Sequence, residues 1–190
     1  MTQKNNQAAE PLKKKRGFYI KIIMLSAVLV VLGFFVVIRS YLNAELFKAV
    51  QDNDITKIRQ LVNFGADVNT SNRIGWTPLI YGVRSNRKLD VLRTLIDIGA
   101  DVNAADDMGW TSLMFLAYDS SEADTTQGLP YATASALKPY IIKLLLDSGA
   151  DVGIKNKEGK NALYYAETNK ALQGTDAYNL LREKTLSQKE

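Results

Sequence analysis

The chain has 190 residues, with 24 Lys plus Arg against 20 Asp plus Glu, a formal net charge of +4, and neither cysteine nor histidine. That composition excludes Ser-His-Asp and Cys-His nucleophiles, thiol redox centres and Cys/His zinc or haem ligation, and no cofactor is expected. Residues 1–43 hold seven Lys or Arg against Glu10, whereas residues 44–190 hold 17 against 19 acids, so the larger part lacks a nucleic-acid footprint.

Residues 1–17 are polar and basic, and are expected to be disordered. Residues 18–38 follow as a run of apolar or small residues interrupted only by Lys21, and predict one transmembrane helix. At ~1.5 Å per residue the run reaches roughly 25 to 31 Å, enough to cross a hydrocarbon core. Lys21 can snorkel to the headgroups, and Phe18 and Tyr19 stand where an aromatic belt would lie. Lys13, Lys14, Lys15 and Arg16 precede the run, while only Arg39 and Lys48 follow closely. The positive-inside rule then puts the N-terminus in the cytoplasm and the rest of the chain across the membrane. A cleaved signal peptide is the alternative; Leu42-Asn43-Ala44 is a poor cleavage site because Leu42 is large. Residues 39–43 make a short juxtamembrane connection. No Gly or Pro lies between Phe34 and Phe64, so the span can run into the following helix without a flexible linker.

From residue 44 the chain repeats itself. Gly-Ala-Asp-Val occurs at residues 65–68, 99–102 and 149–152. Ten residues after each start stands Gly75-Trp76-Thr77, then Gly109-Trp110-Thr111, then Gly159-Lys160-Asn161. A fixed offset between two motifs marks one copied unit. Within a copy, Leu46, Phe47, Ala49 and Val50 form one helical stripe; Ile55, Ile58, Leu61 and Val62 form a second. Asp54 between them is a helix N-cap candidate, and Gly65 after the second stripe is a left-handed C-cap. One such pair cannot bury its apolar face alone; stacking about four makes a continuous core.

Gly75-Trp76-Thr77-Pro78-Leu79, closed by Leu95-Ile96-Asp97-Ile98-Gly99-Ala100-Asp101-Val102-Asn103, resembles the ankyrin repeat. The resemblance implies an all-α ankyrin-repeat solenoid of about four helix pairs over residues 44–184, preceded by one transmembrane helix. The repeats would be 44–69, 70–103, 104–153 and 154–184, with hairpin-like tips near 70–75, 104–109 and 154–159 and a tail at 185–190. The third repeat carries about 17 extra residues, placed at about 118–139 from the repeat period, with residues 131–137 able to form a short helical turn. The histidine that follows Thr-Pro-Leu in the family is replaced by Ile80, Met114 and Tyr164. The resemblance thus implies an array without that polar clasp, held more by packing.

Ankyrin-like arrays bind proteins through their tips and inner helices. Carried over residue by residue, that gives Arg73, Ile74, Asp107, Met108, Lys157 and Glu158 at the tips. Trp76, Trp110 and Lys160 follow the tip glycines, and Tyr81, Arg84, Phe115, Tyr118 and Tyr165 lie on the inner helices. Trp, Tyr and Arg are the usual interface anchors, although the same aromatic residues also serve packing. The function expected is non-enzymatic protein binding at a membrane, as a scaffold, accessory factor or inhibitor of an unknown membrane-adjacent protein. The N-terminal helix would contact lipid, and the preferred setting is the periplasmic face of a bacterial inner membrane. Two rivals stand beside it. One is a secreted, soluble immunity-type inhibitor. The other is a carboxylate-only hydrolase using Asp67, Asp101 and Asp151 or Asp106-Asp107, residues that turn formation already explains. Asn69-Thr70-Ser71 is an N-glycosylation sequon that matters only in a eukaryotic source.

Overall fold

The computed structural model describes residues 9–85, 88–118 and 131–188. The helices, in chain order, are α1 (Ala9–Asp52), α2 (Ile55–Asn63), α3 (Pro78–Ser85), α4 (Leu89–Asp97), α5 (Ser112–Tyr118), α6 (Tyr131–Asp147), α7 (Ala162–Thr168) and α8 (Asp176–Ser187). Among the described residues there is no strand, only an isolated bridge between Ala105 and Thr111. The chain divides into two units, Met1–Tyr41 and Leu42–Glu190.

In the first unit, α1 takes in residues 9–17, which composition had assigned to a disordered segment. Their Lys and Arg residues are good helix formers, and Pro11 falls in the first turn, where its missing N–H is harmless. The apolar side chains of Met24, Leu25, Val28 to Leu32 and Phe34 to Val37 are each more than half exposed around the whole helix. The helix is long and apolar enough to cross a membrane, by length and composition.

The second unit is a stack of helix pairs. α3, α5 and α7 follow one another in one layer, and α2, α4, α6 and α8 in the other. Each inner helix is opened by a side chain that accepts its N3 N–H: Thr77 Oγ1 from Ile80, Thr111 Oγ1 from Met114, and Asn161 Oδ1 from Tyr164. Pro78 sits at the first position of α3, where its fixed φ suits a helix start. Asp54 caps α2 by accepting the Lys57 N–H at 2.9 Å.

The outer helices end alike. Gly65, Gly99 and Gly149 take φ of 102°, 99° and 89°. The following N–H of Ala66, Ala100 and Ala150 returns to the carbonyl of Leu61, Leu95 and Leu145, each at 2.9 Å. This closure satisfies carbonyls that a helix C-terminus leaves orphaned. One core runs through the unit, from Leu46, Val50 and Ile58 through Leu79, Leu92, Leu95, Leu113 and Met114 to Ile141, Leu145 and Leu181. Ile80 and Met114, at the missing-histidine positions, are 0 % and 1 % exposed, whereas Tyr164 is 44 % exposed.

The third repeat departs from the expected boundaries. Residues 131–139, expected within the insert, begin α6, which runs 17 residues against nine in α2 and α4. Pro139 lies inside it. The residue before proline avoids the helical region, so a helix that runs through Pro139 goes against the local preference. Ala132, Ala134, Ala136 and Leu137 are strong helix formers, and Ile141 and Ile142 are wholly buried just beyond. The rest of the expected insert after Tyr118, residues 119–130, lies outside the described residues.

Candidate protein-binding face

The side chains of interest stand on short hairpins and the helices they open. Each hairpin closes with two backbone bonds. Asn72 N–H donates to Trp76 O and Gly75 N–H to Asn72 O; the same pairs recur as Asp106–Trp110 with Gly109–Asp106, and Asn156–Lys160 with Gly159–Asn156. Inside each turn one side-chain oxygen accepts two further N–H groups. Asn72 Oδ1 takes Ile74 and Trp76, Asp106 Oδ1 takes Met108 and Trp110, and Asn156 Oδ1 takes Glu158 and Lys160. These Asx turns fix the backbone from which Trp76 and Trp110 project. Sequence reasoning missed Asn72 and Asn156, although an Asn or Asp three residues before each tip glycine (Asn72, Asp106, Asn156) was available as a signal.

The turns also hold one another. Asp106 Oδ2 accepts Trp76 Nε1–H at 3.3 Å, and Met108 O accepts the Lys157 N–H at 3.0 Å. A second set of asparagines links successive repeats below the tips. Asn69 accepts the Asp101 N–H at 2.8 Å and donates to Gly99 O at 3.1 Å; Asn103 does the same with Asp151 and Gly149, at 2.7 and 3.1 Å. Asn43 starts the series by accepting the Asp67 N–H at 2.8 Å and donating to Thr70 Oγ1 at 3.0 Å. Polar clasps between repeats therefore exist elsewhere in each unit, while at the histidine position itself Ile80 and Met114 are packed into the core. The sequon nitrogen of Asn69 is spent in this ladder.

Five of the expected residues meet in one aromatic assembly. Trp110 stacks on Tyr165 at 4.5 Å, tilts over Phe115 at 5.1 Å and meets Tyr118 edge-on at 5.2 Å. Trp76 meets Phe115 edge-on at 5.8 Å. Arg84 joins them, its guanidinium carbon 5.7 Å from the Trp76 ring and 5.2 Å from Phe115. Such geometries add to burial through ring quadrupoles and cation–π attraction. Tyr118 is 51 % exposed, and Trp76, Trp110, Phe115 and Arg84 are half-buried. Tyr165 is only 4 % exposed and its hydroxyl accepts from Asn156 Nδ2 at 2.7 Å, so it supports Trp110 rather than facing solvent.

The remaining expected residues lie outside that assembly. Tyr81 pairs edge-on with Phe47 at 5.7 Å. Arg73, Ile74, Asp107, Met108, Lys157 and Glu158 are exposed at the tips. Lys160 binds Glu158 at 2.9 Å and lies 4.8 Å over the Tyr164 ring. Its hydrogen bond to the Glu158 carboxylate holds the Lys160 ammonium above its ordinary range.

Of the carboxylates named for the hydrolase reading, Asp106 closes its Asx turn as above and Asp107 is exposed at the tip. Asp67, Asp101 and Asp151 accept the N–H two residues on, from Asn69, Asn103 and Gly153. Among the described residues no group of His, Cys, Asp or Glu could hold a metal ion.

Residues 46–129 match the family model described as ankyrin repeats in three copies. No curated protein sequence matches the chain. Among solved structures, the ankyrin repeat domain of Bcl-3, described as a unique member of the IkappaB protein family, is 24 % identical with a TM-score of 0.54, covering 72 % of this chain and 50 % of that one. An ankyrin repeat domain from Acinetobacter baumannii AYE is 25 % identical with a TM-score of 0.58, covering 74 % of this chain and 63 % of that one. The chain thus spans only about half to two thirds of those structures. The copied hairpin, helix pair and glycine closure, the match over residues 46–129 and the shared fold lead to one statement: this chain carries ankyrin repeats.

Proposed function

We propose that this chain is a membrane-anchored, non-enzymatic binding module whose repeats engage a protein at or near the membrane surface, as a scaffold, accessory factor or inhibitor. The observation that carries the binding role is the assembly of Trp76, Arg84, Trp110, Phe115 and Tyr118, half-buried or exposed on tips and inner helices that Asx turns hold in place. Aromatic and arginine side chains already ordered before binding lose little conformational entropy when a partner arrives.

Anchoring is supported by the exposed apolar side chains of residues 24–37, which no soluble environment would favour. The basic run at residues 13–16 orients the helix with its N-terminus in the cytoplasm. The repeats then lie on the periplasmic, lumenal or extracellular side, in a bacterial inner membrane by preference. The connection at residues 39–43 reaches less than ~20 Å even when extended, which favours a membrane-adjacent partner over a diffusing one.

The test is a reporter active only outside the cytoplasm, fused after Lys184, together with N-terminal sequencing of the mature chain. Activity and an intact N-terminus are expected. Cytoplasmic activity overturns the orientation, and a mature start near Glu45 replaces the anchored form by the secreted one.

A further inference from the structure

Arg84 is the sole charged side chain that α3 and α5 contribute. Three other cations of the array stand beside carboxylates: Lys57 by Glu45, Lys143 by Asp147 and Lys160 by Glu158. Among the described residues, Arg84 stands against two rings, Trp76 and Phe115. Its Nε is buried and, among the described residues, finds no hydrogen-bond acceptor. A buried donor left unpaired costs free energy, which marks Arg84 as a position not optimised for stability alone.

We propose that Arg84 is the anchor for an acidic side chain of the protein partner: an Asp or Glu, flanked by apolar residues, within the segment that lies on the Trp76–Trp110 face. This rests on the binding role proposed above and specifies its chemistry. Charge complementarity argues for it. A guanidinium resting against two rings that also touch each other is restrained in its orientation, and a carboxylate matches its planar fork with two parallel hydrogen bonds. The rings exclude water around the pair, so it interacts at a lower effective dielectric than a surface ion pair. Trp110 and Tyr118, joined edge-on beside Phe115, offer apolar surface to the flanking residues. A phosphate-bearing partner is disfavoured because residues 44–190 carry 17 basic against 19 acidic groups.

The experiment uses the full-length chain purified in detergent micelles and a displayed library of random twelve-residue peptides. The recovered peptides are expected to share an Asp or Glu beside apolar residues. For a synthetic peptide from that set, Arg84→Gln in the chain and Glu→Gln in the peptide should each weaken binding about tenfold or more, and the double change little further, because both remove one interaction. Arg84→Lys, which keeps the charge without the fork, should restore little. Peptides that lose binding with Trp110→Ala but ignore Arg84→Gln overturn the inference while leaving the binding face in place. Failure to recover any peptide, or binding indifferent to both residues, overturns the inference and the proposed face together. Should Arg84→Gln fail to fold by circular dichroism, the peptide-side change and Arg84→Lys still decide the matter.

Discussion

The side-chain oxygen of Asn69 accepts the backbone N–H of Asp101, 32 residues further on, at 2.8 Å. The amide of the same side chain donates to Gly99 O, so one residue fastens the closing turn of the next repeat at two points. Asn103 repeats this on Asp151 and Gly149. The series stops at Gly153, which has no side chain to continue it, and there Gln188 donates to Asp151 Oδ1 at 3.3 Å. Asn103→Ala should therefore lower stability by about 1–2 kcal/mol, the cost of two partly solvated hydrogen bonds. Thermal denaturation is the measurement, and Asn69→Ala should behave alike.

The tip glycines share a conformation but not an environment. Gly75 and Gly159 take φ of 79° and 75°. A Cβ on Gly75 would lie 2.5 Å from Asp107 N and 3.0 Å from Asp106 C, whereas one on Gly159 would meet nothing within 4 Å. Both alanine variants lose roughly 1–2 kcal/mol to the left-handed backbone. Gly75→Ala should lose about 1–3 kcal/mol more, because the next hairpin's backbone must move aside. Equal melting temperatures for the two variants would show that the hairpins do not abut.

Tyr165 works through its hydroxyl as well as its ring. Removing the hydroxyl leaves Asn156 Nδ2, in a buried bond, without its acceptor. Tyr165→Phe should cost about 1–2 kcal/mol while leaving the stack on Trp110 in place. Denaturant unfolding followed by tryptophan fluorescence reports both: a lower midpoint with an unchanged native emission.

Much of the array was legible because its signals are local and recur. Gly65, Gly99 and Gly149 announce the outer-helix ends, and Thr77 and Thr111 the inner-helix starts. The Trp76 and Trp110 positions were legible for the same reason. The asparagine ladder was not, because its bonds span 24 to 48 residues and Asn43 sits in what read as a connection. Tyr165 was grouped with Tyr81 and Phe115 by position, yet it alone of the three is buried, since Trp110 stacks on it and Asn156 binds it. Periodicity names a position but not its depth. The start of α6 was not legible because the repeat period fixes the length of an insert but not which of its residues join the next helix, and α6 runs through Pro139 with Ile141 and Ile142 buried just beyond.

The ion pair of Glu45 and Lys57 joins α1 to α2 and gives a pH signature. The hydrogen bond from Lys57 holds the Glu45 carboxyl below its ordinary range. A depressed folded-state pKa contributes stability that is present above the unfolded value and disappears as pH falls through the folded one. The stability difference between the wild type and Glu45→Gln should be small near neutrality, as for any solvent-exposed pair, and should close below the usual carboxylate range. Urea unfolding midpoints at several pH values measure it. A difference that widens toward acid would contradict the pairing.

The central claim, that the Trp110 face holds a membrane-adjacent protein, is tested most directly by site-specific photocrosslinking. A photoreactive side chain is placed at Met108 or Tyr118 on that face, or at Gln60 or Arg93, exposed on the outer helices α2 and α4. The full chain is irradiated in its native membranes. Discrete protein adducts are expected from Met108 and Tyr118, and none from Gln60 and Arg93. Adducts from the outer helices alone, or none from Met108 and Tyr118, would contradict it.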